Sequence, residues 1–308
     1  MLCVSIDLDP LRCYRELYGL PPAEPAGSDP VYGIAVERFC DWLAELGAPG
    51  TIFAVGEALA APDAAASIRA AAARGIEIAN HSQSHRYDLS RLADAEMQAE
   101  IALGADAIER ACGTRPRGFR APGYLLGDRV LAAAEAAGAR YDASALPSPA
   151  YQAVKLAAVG LLALAGRGSA AIAGDPREAL GPRAPYRPDR RRPWRRGAAG
   201  LLELPVSTAL GLPLTGGLLA LAGRRAAAAL GRLLSRRAFV QLELHGVDLL
   251  DIETDGLDPA LGVQRDLRIG HREKRACLSA FVEPVLARHE PLSLAAAERQ
   301  FLVPSSKP

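Results

Sequence analysis

Residues 1–10, MLCVSIDLDP, and residues 76–85, IEIANHSQSH, carry the pattern that decides the fold. The apolar run 1–6 predicts a short buried strand, and Pro10 ends it because proline has no N–H for a strand ladder. The run 76–79 predicts a second strand of the same kind. Both strands lead directly into polar side chains that can bind metal or transfer protons.

Helical segments separate such strands along the first half of the chain. The run 51–55, TIFAV, predicts a strand between the two, and further strands are expected near 118–120 and from Tyr141. The predicted helices cover about 34–43, 62–73, 95–112 and 130–137. Strands that alternate with helices indicate a parallel sheet or barrel, in which chemistry collects at the carboxyl ends of the strands.

Composition excludes several classes of protein. The 308 residues include 36 Lys and Arg against 35 Asp and Glu, so no global field attracts nucleic acid and none is expected as a partner. Five scattered cysteines argue against a disulfide framework and against a thiolate zinc site. The N-terminus has no basic region or cleavage site, so we expect no signal peptide and a cytoplasmic location.

Two histidines, His81 and His85, follow the strand at 76–79. With three residues between them they would share one face of a helical turn, although this spacing alone is more often structural than metal-binding. Asp9, at the end of another strand, supplies a third ligand, and three protein ligands leave coordination positions for water and substrate. Asp7 would then lie near the ion as a general base, or it caps a turn.

Five segments, in order, resemble the polysaccharide deacetylase family, the NodB-homology domain of carbohydrate esterase family 4. They are 5–9 (SIDLD), 51–56 (TIFAVG), 80–85 (NHSQSH), 118–122 (GFRAP) and 242–246 (LELHG). One residue separates the two aspartates of the first segment, as in the DxD branch of that family. The resemblance implies a single catalytic domain over 1–308. It implies a distorted (β/α) barrel of about seven strands with an inserted helical and loop region.

The resemblance also implies the roles of the site residues. Asp9, His81 and His85 would bind one divalent ion, zinc in the first place, with Co²⁺, Ni²⁺ or Mn²⁺ as alternatives. Asp7 would be the base and His245 the acid, and the nucleophile would be water bound to the metal.

Further residues are implied to assist the reaction. Arg120 would pair with the base and lower its pKa. The main-chain N–H of Gly123 would hold the oxyanion. Tyr124 is a candidate substrate contact. In the family the tyrosine directly follows the proline, whereas here Gly123 lies between Pro122 and Tyr124. Asp142 is a candidate to orient His245, but the tryptophan of that family segment is missing here.

The implied activity is metal-dependent hydrolysis of an N-acyl group, N-acetyl in the first place, on an amino sugar, a glycan or a lipid-linked glycan. The DxD form leaves open a deformylase or another hydrolase of linear or cyclic amides. From a different class, the chain could be a non-catalytic carbohydrate-binding relative. Such relatives usually lose an acid, a base or a ligand, and here all are present, which favours an enzyme.

The region 148–236 diverges from the family. It contains apolar segments at 154–165 and 210–221, both too short to span a bilayer, and a short strand at 201–206. An arginine-rich loop with Tyr186 and Trp194 lies between the apolar segments. It is either a solvated loop or part of a lid that contacts an anionic membrane surface through 154–221, peripheral to the inner face. A late strand at 240–244 and a closing helix at 274–282, ending before Pro284, complete the prediction.

Overall fold

The computed structural model describes residues 1–22, 28–164 and 175–302. The strands of this part of the chain are β1 (Leu2–Leu8), β2 (Thr51–Ala54), β3 (Glu77–Asn80), β4 (Gly118–Phe119), β5 (Tyr141–Asp142), β6 (Leu202–Glu203), β7 (Thr208–Ala209), β8 (Leu212–Pro213) and β9 (Val240–His245). Its α-helices are α1 (Leu11–Tyr18), α2 (Val36–Glu45), α3 (Pro62–Ala73), α4 (Asp94–Cys112), α5 (Asp128–Ala136), α6 (Pro149–Leu164), α7 (Gly216–Ala222), α8 (Arg224–Leu234), α9 (Ile252–Asp255), α10 (His271–Leu286) and α11 (Leu294–Leu302).

Seven of these strands form one parallel sheet in the order β6-β5-β4-β3-β2-β1-β9. The two edges of the sheet approach each other, because the N–H of Ser207, just after β6, donates to the carbonyl of Gln241 in β9 at 3.2 Å. The sheet is therefore curled towards closure. The predicted distorted (β/α) barrel of about seven strands is confirmed.

Strand β1 lies at the centre of this fold, and all seven of its residues are buried. It extends two residues further than the sequence predicted, because the ladders with β2 and β9 continue to its end. Asp7 therefore lies within the strand, opposite Phe53 of β2 and His245 of β9. This register brings the two residues expected to be base and acid to the same end of the barrel.

Helix α10 closes the barrel and differs from the sequence prediction. It runs to Leu286 and passes through Pro284, where we expected it to have ended. Phe281, Val282 and Val285 are fully buried around this proline. Apolar packing therefore maintains the last turn although Pro284 cannot donate a main-chain hydrogen bond. The five cysteines are free thiols, as the composition predicts.

The divergent region 148–236 is interwoven with the barrel. The predicted strand 201–206 contributes β6, and the predicted apolar segment 154–165 lies in α6 except for Ala165, which is outside the described residues. The segment 210–221 divides into the turn of the β7–β8 hairpin, β8 and most of α7. None of the helices in the described ranges is long and apolar enough to cross a membrane.

Candidate active site

Three side chains of metal-binding type meet at the carboxyl end of the sheet. Asp9 follows β1 and His81 follows β3, while His85 lies further along the same loop. The Nε2 atoms of His81 and His85 lie 3.2 and 3.1 Å from Oδ1 of Asp9, and all three side chains are buried. Ligand atoms about 2.0–2.1 Å from a tetrahedral ion are separated by about 3.4 Å. The three atoms are therefore spaced to hold one small divalent cation.

The loop 81–85 is not the helical turn that the sequence predicted. Ser82 and His85 have φ angles of 65° and 59°, in the left-handed region. The Oγ atom of Ser82 accepts a hydrogen bond from the N–H of His85 at 3.1 Å. This tight turn, rather than a helical repeat, brings the two imidazole rings to a centroid separation of 4.9 Å.

Helix α4 fixes this loop from the outside. The main-chain oxygen of Glu100 accepts a hydrogen bond from the N–H of Gln83 at 2.9 Å, and its carboxylate accepts two from Ser84 at 2.6 and 2.7 Å. Gly104 allows the close approach, because a Cβ atom there would lie 2.6 Å from the carbonyl carbon of Ser82. The position of both histidines therefore depends on how closely α4 packs.

The polar atoms of the cluster fit a bound cation. Nδ1 of His81 lies 2.8 Å from the main-chain oxygen of Arg120, so Nδ1 is assigned the proton and Nε2 presents its lone pair to the cluster. Both ring nitrogens of His85 and Oδ1 of Asp9 are buried without a hydrogen-bond partner among the described residues. Buried polar atoms rarely remain unpaired, and a cation would satisfy these lone pairs.

Asp7 lies beside the cluster and is held by Arg120, as predicted. The fully buried guanidinium contacts Oδ1 of Asp7 through Nη1, and donates to Oγ of Ser5 at 3.1 Å and to the carbonyl of Ala143 at 2.9 Å. Oδ2 of Asp7 lies 3.8 Å from Nε2 of His81. Burial raises the pKa of Asp7, and the charge of Arg120 opposes that rise. One oxygen of Asp7 thus faces the cluster while the other is anchored.

His245, at the end of β9, has Glu243 as its partner. Nδ1 of His245 lies 2.9 Å from Oε1 of Glu243, and Nε2 lies 3.7 Å from Oδ2 of Asp9. Burial favours the neutral ring, but the carboxylates of Glu243, Asp9 and Asp7 together outweigh it and raise the pKa of His245 well above its ordinary value. Sequence reasoning missed Glu243. The alternation of side chains along a strand could have identified it, since residues two apart face the same side.

Asp142 does not contact His245, contrary to the sequence prediction. Its carboxylate accepts hydrogen bonds from the N–H and the hydroxyl of Ser144 at 3.1 and 2.9 Å, and it also interacts with Glu203. The Oγ atom of Ser144 in turn accepts the N–H of Ala121 at 2.8 Å. Asp142 therefore supports the loop after β4, because three strands separate β5 from β1 and Glu243 already occupies the place beside the histidine.

A cavity of about 410 Å³ opens beside these groups. Gly123 and Tyr124 line it, and the ring of Tyr124 lies 6.3 Å from the ring of His245. The N–H of Tyr124 is engaged by the carbonyl of Ala121 at 3.1 Å. Helix α6 contributes further wall residues, Tyr151, Val154 and Lys155. Every residue expected at the site lines this cavity or contacts a residue that does, apart from Asp142.

Comparison with known proteins identifies the family that the first half of the chain resembles. A family model described as polysaccharide deacetylase matches residues 29–141. The resemblance to the polysaccharide deacetylase family is confirmed. This matched segment contains the histidine loop and Arg120, whereas Asp7, Asp9 and His245 lie outside it. A chitooligosaccharide deacetylase of Bradyrhizobium sp. (strain ANU 289) is 37% identical over 138 residues, which is 42% of this chain and 60% of that protein.

Two solved structures share the fold of this chain. A Mycobacterium smegmatis protein described as a polysaccharide deacetylase superposes with a TM-score of 0.59 at 19% identity, over 100% of this chain and 93% of its own. A family 4 acetyl xylan esterase from Clostridium thermocellum, solved with a cobalt ion, gives 0.50 at 16% identity, over 98% and 92% of the two chains. At these identities the likeness establishes the barrel alone.

Proposed function

We propose that this chain removes an N-acyl group, N-acetyl in the first place, from an amino sugar carried by a glycan or a lipid-linked glycan. The observation that carries the proposal is the convergence of a three-ligand cluster, Asp9, His81 and His85, with Asp7 on one side and His245 on the other. The name of the chitooligosaccharide deacetylase relative supports the same chemistry on a sugar.

The donor set suits zinc, because one carboxylate and two imidazoles are typical ligands of catalytic zinc sites with three protein ligands. Co²⁺, Ni²⁺ and Mn²⁺ accept the same donors. When bound, the ion would polarise the amide carbonyl and promote ionisation of a water molecule.

Asp7 acts as the general base in this proposal. Its Oδ2 atom faces the cluster, where it can accept a proton from the attacking water. Arg120 holds the opposite oxygen and three further contacts hold Arg120: Ser5, Ala143 and the face of Phe53 at 4.1 Å. The base is therefore positioned by a buried side chain that has little freedom to move.

His245 acts as the general acid that protonates the departing amine. It needs a proton at the start of the step, and the partner Glu243 favours the protonated ring. Because the N–H of Tyr124 is engaged, the N–H of Gly123 is the main-chain donor that we assign to the developing oxyanion. The ring of Tyr124 forms the adjoining wall.

The proposal is tested by release of acetate and formate from the zinc-loaded protein. Two substrates are compared, a soluble N-acetylglucosamine oligomer and a lipid-linked N-acyl amino sugar, each also prepared with an N-formyl group. We expect acetate release, with loss of activity in Asp7→Asn and His81→Ala. Formate release alone would favour a deformylase. Binding of the oligomer without any release would identify a non-catalytic relative.

A further inference from the structure

The loop 181–199 carries an unbalanced positive charge. It holds seven arginines against one aspartate, a formal charge of +6 in a chain whose net charge is +1. The arginines are Arg183, Arg187, Arg190, Arg191, Arg192, Arg195 and Arg196. None of them forms an ion pair with another residue in the described part of the chain, where ion pairs are otherwise frequent. The positive charge of this loop is therefore not neutralised by ion pairs within the described residues.

Part of this loop forms a cavity with Arg237, which precedes β9. Arg183, Arg195, Arg196 and Arg237 line the cavity together with Trp194, and none of its described lining residues is acidic. Partial burial and the neighbouring charge of Arg183 lower the pKa of Arg237. Guanidinium groups held this close repel each other, so an anion placed among them would lower the energy of the site.

The β7–β8 hairpin beside this cavity presents an exposed leucine in an unfavourable conformation. Leu210 is 85% exposed, and it and Gly211 have φ angles of 53° and 81°. Two-residue hairpin turns with both φ angles positive favour Asn-Gly, because a branched apolar side chain is strained there. Exposure and strain at one leucine indicate that the side chain serves a contact outside the folded chain.

Hydrogen bonds connect the arginine cavity, the leucine turn and the entrance of the active site. Arg237 donates to the carbonyl of Thr208 in β7 at 2.7 Å. The hydroxyl of Ser148 donates to the carbonyl of Gly211 at 2.6 Å, which ties the turn to the start of α6. Val154 of α6 is 69% exposed and lines the catalytic cavity. The arginine cavity is therefore joined through β7 to the leucine turn, and the turn is joined to the start of α6.

We propose that this surface, the loop 181–199 with the β7–β8 turn, docks on an anionic phospholipid bilayer. Arginines bind lipid phosphates well, and apolar side chains beside them can enter the boundary between headgroups and acyl chains. Docking would hold the chain at the lipid surface with the arginine cavity against the headgroups. Membrane docking goes beyond the proposed function. It is tested by binding and not by catalysis, so docking and the proposed activity can each fail without the other.

The test is sedimentation of the full chain with vesicles of phosphatidylcholine, with and without about 30% phosphatidylglycerol, at low salt. We expect binding to the anionic vesicles only, and loss of binding at about 0.5 M salt because charges are then screened. In the variant with Arg183, Arg192 and Arg195 changed to Gln, the partition coefficient should fall about 100-fold, at roughly a factor of five for each arginine near an anionic surface.

A matched variant removes the same charge elsewhere. Arg110, Arg272 and Arg299 are exposed and outside the surface, and their change to Gln should leave binding within about threefold. Equal losses in the two triple variants would overturn the proposal, since they would show an effect of net charge alone. No binding to anionic vesicles at low salt would overturn it as well.

Leu210→Asn separates docking from folding. Asparagine suits the turn, so Tm should be unchanged or higher, while vesicle binding should fall about tenfold through lost apolar burial. Unchanged binding in this variant would contradict a role for the turn. Inorganic diphosphate distinguishes a soluble phosphate compound from a bilayer as the ligand of the arginine cavity. If it raises Tm through the three arginines while vesicles do not bind, the cavity is a site for a soluble phosphate compound and the bilayer proposal is wrong.

Discussion

Glu243→Gln should weaken the acid step without removing the side chain that fills its place. Glu243 is fully buried, and its carboxylate lies 2.9 Å from Nδ1 of His245. Glutamine keeps the volume and can still accept a hydrogen bond, but it has no charge to stabilise the protonated ring. The substitution therefore isolates the electrostatic part of the contact.

The magnitude follows from that contact. A hydrogen bond to a charged group contributes about 1.5–3 kcal/mol, and Glu243→Gln removes the charge on which most of that contribution depends. Glu243 raises the pKa of His245, so its loss lowers that pKa. The general acid must be protonated, so the alkaline limb of the kcat profile should move to lower pH. At the optimum kcat should fall about 10- to 100-fold.

The assay is the initial rate of acetate release from an N-acetylglucosamine oligomer between about pH 6 and pH 10, on the alkaline side of the ordinary histidine pKa. Asp142→Asn is the matched control, because Asp142 was the partner expected from the sequence but bonds to Ser144 instead. The alkaline limb of the kcat profile of Asp142→Asn should keep the wild-type midpoint, even if the variant is less stable than the wild type. A shift in Asp142→Asn together with an unshifted Glu243→Gln would refute the assignment of the partner.

Three further perturbations test the support around the cluster. Gly104→Ala should force α4 away from Ser82, lower the free energy of unfolding by about 1–3 kcal/mol and weaken zinc binding. Thermal denaturation and metal titration measure the two effects. Gly33→Ala is the control and should leave both stability and zinc binding unchanged, because a Cβ atom there meets nothing within 4 Å. Arg120→Lys should lower kcat by about 100-fold with little change in KM, because a lysine cannot reproduce the guanidinium contacts that orient Asp7. A change in KM alone would contradict this role of Arg120. Addition of zinc to the chelated protein should raise Tm with the logarithm of zinc concentration above the dissociation constant, and a Tm independent of zinc would argue against binding to the folded state.

The positions of the candidate metal ligands could be predicted from the sequence because they depend on strand ends. Asp9 and His81 follow strands β1 and β3, and the carboxyl ends of parallel strands meet at one edge of a sheet. The pairing of Arg120 with Asp7 was also predicted, from the resemblance to the family, and the structure has it. These features need only the order of the elements and their direction.

The partner of His245 could not be chosen in this way. Asp142 and Glu243 both lie on barrel strands with their side chains buried. Which of them reaches the histidine depends on how far the sheet curls and which strands become neighbours at the seam, and that is set by packing across the whole barrel. The turn at 81–85 also depends on tertiary packing. Contacts from α4 stabilise a positive φ angle at Ser82, which a serine by itself disfavours.

Sequence proximity was also misleading in the region 148–236. The arginine-rich loop follows α6 along the chain, yet the part of this region that lines the catalytic cavity consists of α6, β8 and the start of α7, with no described residue of the loop 181–199. The loop instead packs at the amino end of β9, six residues before His245, which corresponds to about 20 Å of extended strand. The lid that we predicted for the whole region therefore divides into two parts. The apolar part, α6 and β8, lies at the catalytic cavity, and the basic part, the loop 181–199, lies away from it.

The central claim is that Asp9, His81 and His85 hold one divalent ion that amide hydrolysis requires. The most direct measurement is zinc content after dialysis, determined together with acetate release, for the wild-type protein and His85→Ala. We predict roughly one zinc per wild-type chain, loss of acetate release with a chelator and its return with zinc, and at least about tenfold weaker zinc binding in His85→Ala. Full acetate release by metal-free protein, or unchanged zinc affinity in His85→Ala, would contradict the claim.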